Sequence, residues 1–80
     1  MKIGDTVMFV DEGCYARWFF GNLATVTHYT PRPAAPWTPG TEAVDRSTCR
    51  VKWMKPVKYH DRLSTVSDFY ANMFEVICEK

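Results

Sequence analysis

From Thr48 to Met54 the chain alternates without a break, with Cys49, Val51 and Trp53 on one side and Arg50, Lys52 and Met54 on the other. A period of two sustained over this length predicts a half-buried strand. Its inner face carries a β-branched residue and the largest apolar side chain, and its outer face carries two cations. Similar runs flank it. Thr6 to Val10 reads as a first strand with Val7 and Phe9 inward, closed by the turn signal Asp11-Glu12-Gly13. Leu23 to Tyr29 reads as a second, with Ala24 and Val26 inward and Thr25 and Thr27 outward. After the Trp53 strand, Pro56 and the charges from Lys55 to Arg62 predict a strand edge or a turn. Leu63 to Val66 predicts a short fourth strand, and Ser67 to Met73 one helical or 3-10 turn capped by Ser67 or Asp68. Phe74 to Cys78 closes the series, with Phe74, Val76 and Cys78 inward.

Two stretches break the alternation. Cys14 to Phe20 packs Tyr15, Trp18, Phe19 and Phe20 ahead of Gly21-Asn22, as an aromatic loop over one end of the fold or as a hairpin arm. Residues 30–47 hold Pro31, Pro33, Pro36, Pro39 and Gly40, which exclude helix and central strand alike. They predict a long Pro-rich loop, partly docked through Trp37.

Eighty residues make one domain, 1–80, with a thin stability margin that a 15% aromatic content helps to offset. No run reaches the roughly 18 apolar residues of a membrane span, and the first residues lack the apolar segment of a signal peptide. A cytoplasmic address follows, and nothing in the pattern sets an oligomeric state.

The order of five short strands, with one turn just before the last, is similar to that of SH3-like small barrels of the KOW, Tudor and chromo type. The resemblance is carried by Ile3-Gly4-Asp5-Thr6-Val7, Gly21-Asn22-Leu23-Ala24-Thr25-Val26, Val51-Lys52-Trp53 and Phe74-Glu75-Val76-Ile77, and it covers most of the chain outside 30–47. It departs in two places: Ala24 stands where a KOW strand has glycine, and the aromatic-acidic signature of peptide-binding SH3 domains is missing. It implies an all-β, five-stranded SH3-like barrel. A compact unit starting at Met1 also resembles, in format, small phage-encoded accessory proteins, which would place it in the host cytoplasm.

The chemistry points to binding rather than catalysis. No nucleophile elbow, glycine-rich phosphate loop or spaced carboxylate pair is present. His28 and His60 stand far apart, so a metal site with Cys14 or Asp61 is set aside. His28 is expected to pack at a strand end and His60 to be solvated, and Tyr59-His60-Asp61-Arg62 reads as a charged turn. Cys14, Cys49 and Cys78 are odd in number and widely spaced, which suits neither a disulfide framework nor a metal half-site. No cofactor is expected.

Charge distribution says more than the net +1. Arg46, Arg50, Lys52, Lys55, Lys58 and Arg62 face Asp61 alone within residues 46–62, while the flanking segments are net acidic. Arg50, Lys52, Lys55, Lys58 and Arg62 are therefore expected to form a basic face for an acidic partner, either nucleic acid or an acidic protein surface. The second candidate surface is aromatic: Tyr15, Trp18, Phe19, Phe20, Tyr29 and Trp37, of which at least half should be core. Trp18, Phe19 and Trp37, with the Pro-rich loop, would then serve a protein-interaction or inhibitory module, such as one a phage turns on a host factor.

Overall fold

Phe9 organises the interior. It is fully buried, and its ring lies 5.9 Å from Phe19, 6.4 Å from Trp53, 5.1 Å from Phe69 and 5.3 Å from Phe74. Offset and edge-on ring pairs at these separations add specific attraction to the area they bury. The computed structural model describes residues 1–32 and 46–80, so most of the Pro-rich loop read over 30–47, Trp37 included, lies outside the described residues.

Five strands make one antiparallel sheet: β1 (Thr6–Phe9), β2 (Leu23–Thr30), β3 (Thr48–Tyr59), β4 (Arg62–Tyr70) and β5 (Phe74–Cys78). Their order is β4-β3-β2-β1-β5. The all-β expectation holds, but the ladder is not closed into a barrel, because β4 and β5 are its two edges. The 3-10 turn Ala71–Met73 carries the chain from one edge to the other. It is tied to β1, since the Val10 and Asp11 N–H groups both donate to Met73 O. Across the gap the Phe69 and Phe74 rings meet, 6.0 Å apart.

The expected parity is kept on the inner face. Val7, Phe9, Ala24, Val26, Cys49, Val51, Trp53 and Phe74 are all buried. Trp53 stacks on Phe19 at 5.1 Å and donates its indole N–H to Ser67 Oγ at 2.9 Å, so the core's largest side chain leaves no polar atom unmatched.

Three irregularities explain where the expected parity fails. Opposite Thr6 and Val7 the register of β5 jumps from Val76 to Cys78. The extra residue, Ile77, turns Cys78 to the outer side, and Cys78 is exposed rather than inward. In β2 a second jump, between Val26 and His28, leaves Thr27 as the extra residue. His28 is thereby exposed opposite Arg50 instead of packing at the strand end, while Tyr29 turns toward the core. The third lies between Lys52 and Val57, where Trp53 to Pro56 face Thr65 alone. Pro56, which has no N–H to give a ladder, sits inside this bulge.

Because β3 continues past the bulge, it reaches Tyr59 and turns at His60-Asp61 into β4, making the charged segment a hairpin turn. His60 holds the left-handed φ of 55°, which a two-residue hairpin loop requires of a central position. The fourth strand is longer than expected and the 3-10 turn shorter. Ser67 and Asp68 do not cap a helix, because Trp53 and Arg50 take their oxygens.

The aromatic segment forms neither of the expected shapes. It is a single helical turn, α1 (Ala16–Phe19), followed by Gly21 at φ 81°. Asn22 Nδ2 donates to the Trp18 and Phe19 carbonyls, at 3.2 and 3.1 Å, satisfying acceptors that so short a helix leaves open.

Candidate functional site on the outer face of the β3–β4 hairpin

Outward parity on β3 places Arg50, Lys52, Met54 and Lys58 on the face opposite Val51, Trp53 and Val57. Register then supplies their neighbours. Arg50 lies between His28 and Asp68, Lys52 between Thr25 and Val66, and Lys58 beside Leu63. Lys55 is exposed within the bulge and Arg62 at the hairpin turn.

The five predicted cations divide into one and four. Arg50 is held by Asp68 through Nε to Oδ1 at 2.8 Å and Nη2 to Oδ2 at 3.3 Å. That two-point contact lowers the Asp68 pKa below its ordinary value and raises that of Arg50. No ion pair forms at Lys52, Lys55, Lys58 or Arg62 among the described residues.

Beside the Arg50–Asp68 pair lies a shallow cleft of about 390 Å³ lined by His28, Thr30, Thr48, Cys49, Arg50 and Asp68. Of its lining groups, Arg50 and Asp68 hold each other. Thr27 Oγ1 sits 3.2 Å from His28 Nδ1, yet its proton is donated to Arg50 O at 3.1 Å. Burial, helped by the Asp68 charge, pushes the Cys49 thiol up to about 11, far from a thiolate at neutral pH. No group of three or more His, Cys, Asp and Glu side chains suited to a metal ion occurs among the described residues.

The aromatic candidates are placed differently. Phe19 is only 2% exposed and belongs to the core, which removes it from any docking surface. Trp18 is partly buried, with its ring 4.8 Å from Tyr59, 4.9 Å from His60 and under the Arg17 guanidinium. It pins the hairpin tip to α1. Tyr15 and Tyr29 pack against the core, and Phe20 is exposed. Trp37 lies outside the described residues.

The outward side of Met54 follows the alternation read from sequence, whereas the exposure of Leu63 and Val66 does not. Met54, Leu63 and Val66 point outward among the lysines, 54%, 68% and 49% exposed. Leu23 and Met54, with Gly21, Asn22 and Lys55, line a hollow of about 250 Å³ at the start of β2. Leu63 and Val66 both read as ordinary strand residues in sequence, and only the bulge opposite Thr65 decides which side they take. No helix among the described residues is long and apolar enough to cross a membrane. Comparison of the chain with protein-family models, with curated proteins and with solved structures found no match.

Proposed function

We propose that this chain is a non-catalytic binding module of SH3-like strand order that recognises an acidic macromolecule through the outer face of its β3–β4 hairpin. The observation that carries the reading is the concentration of Lys52, Lys55, Lys58 and Arg62 on one hairpin, exposed and outside any ion pair among the described residues. Unneutralised cations held on a rigid ladder attract anionic partners at long range and fix their orientation on contact. The strand order, and the 3-10 turn immediately before the last strand, support the SH3-like topology. Exposed, unbridged Cys14 and Cys78 fit a reducing cytoplasm. The aromatic alternative keeps less support, since Phe19 is core and Trp18 is engaged with the hairpin tip.

The test uses two probes, a fluorescein-labelled 20-nucleotide single strand and poly-glutamate. Anisotropy should show binding that weakens steeply with salt and is lost in Lys52→Glu/Lys58→Glu, with the melting curve nearly unchanged. If neither probe binds in a salt-dependent way, the basic face is not the working surface.

A further inference from the structure

We infer that the partner is a protein segment in which carboxylates flank bulky apolar side chains, rather than a nucleic acid. This rests on the basic-face reading and adds to it the apolar half of the same surface. Register sets cation and hydrophobe side by side twice, Lys52 opposite Val66 and Lys58 opposite Leu63. Met54 shares their face, and the hollow beside it, walled by Leu23 and Met54, has room for one bulky side chain.

A phosphate backbone has no use for that pattern. Nucleic-acid interfaces are polar and strongly positive, and bases are held by stacking or by hydrogen bonds to their edges. Leu63, Val66 and Met54 offer neither a ring nor a donor. Protein interfaces combine the two features, with apolar side chains in the middle and charge-complementary groups around them. The acidic member of this face, Asp68, is already gripped by Arg50, so its carboxylate repels an incoming acid less than a free one would.

The experiment selects binders without presuming their sequence. A random 16-residue peptide library is panned on the intact protein, and the selected peptides are measured against wild type, Lys52→Glu/Lys58→Glu and Met54→Thr/Leu63→Thr/Val66→Thr. Threonine keeps strand propensity while removing the apolar surface, and a thermal melt of each variant confirms its fold. The selected pool should be enriched in Asp and Glu together with Leu, Ile, Phe or Trp. Its affinity should fall at least tenfold in both variants, whereas binding of the 20-nucleotide strand should respond to the charge reversal alone. A pool rich in acids only, or one that binds the threonine variant as tightly as wild type, overturns the inference and leaves the basic face standing. So does an oligonucleotide that outcompetes every selected peptide. Failure of peptides and oligonucleotide alike overturns the basic face itself.

Discussion

Arg50 grips Asp68 across the β3–β4 ladder, Nε to Oδ1 at 2.8 Å and Nη2 to Oδ2 at 3.3 Å, and so divides the basic face into a neutralised end and a free one. The neutralised end carries the cleft with His28, and the free end carries the lysines and the exposed apolar residues. Any anion approaching the hairpin meets uncompensated charge only at Lys52 and beyond.

Asp68→Asn should therefore strengthen binding of the labelled oligonucleotide and of poly-glutamate, because it removes an acid from the face and releases Arg50. Arg50→Gln/Asp68→Asn removes two charges that cancel and should change binding less than Lys52→Glu, which takes away a free cation and adds an acid. Both side chains are largely exposed, so the melting temperature should move little in either variant. Anisotropy titrations at fixed salt check the order, and a double variant as damaged as Lys52→Glu would show that Asp68 does not neutralise Arg50.

Trp53 is the residue on which the interior depends. Trp53→Ala removes the stack on Phe19 and the donor to Ser67, and should cost roughly 3–5 kcal/mol, much of the total stability of so small a fold. Ser67→Ala leaves the indole N–H without its acceptor and should cost roughly 1 kcal/mol. Urea unfolding followed by circular dichroism checks both. Equal losses in the two variants would mean that the hydrogen bond, not the ring, dominates.

The inner face was legible in the sequence because alternation is local: Val7, Phe9, Ala24, Val26, Val51 and Trp53 need no knowledge of their partners. What escaped reading depends on pairing. Cys78 was assigned inward by parity, but the extra Ile77 reverses it. Ser67 and Asp68 carried a cap signal, yet residues 14 and 18 positions earlier claim their oxygens, which makes them strand instead. Phe19 sat in a ring-rich run without period, where a four-residue helix leaves no repeat to detect. The cations of the face were visible at once. Arg50's neutralisation, and the pairing of Lys52 with Val66 and of Lys58 with Leu63, were not, because all three arise from the register between β3 and β4.

The thiols should separate cleanly. Cys14 and Cys78 are exposed, while Cys49 is buried with its pKa pushed to about 11. Ellman's reagent should label Cys14 and Cys78 rapidly in the native protein and Cys49 only on unfolding. Uniform reaction of all three thiols would contradict the packing around Cys49.

Acid should loosen the fold through Asp5. This carboxylate is buried, and it joins the segments before β1 and after β5: Oδ1 accepts from the Lys80 N–H at 3.1 Å and Oδ2 from the Lys2 N–H at 2.9 Å. The Lys80 N–H and then the Lys2 N–H stabilise the charged form against the opposing effect of burial, so its pKa is lowered from the ordinary 3.8. A pKa lower in the folded than in the unfolded chain means that the unfolded chain takes up the proton first. The stability it contributes is intact above the ordinary aspartate range and drains away as pH falls through the depressed folded value. Asp68, lowered by Arg50, acts in the same direction. Asp5→Asn cannot accept from both N–H groups with two carboxylate oxygens, so it should lower the melting temperature at neutral pH. Having no proton to take up, it should also flatten the decline of stability between pH 5 and acid. Thermal melts of wild type, Asp5→Asn and Asp68→Asn across that range check both effects. If Asp5→Asn tracks the wild-type acid slope, the clasp between the segments before β1 and after β5 does not carry the pH dependence.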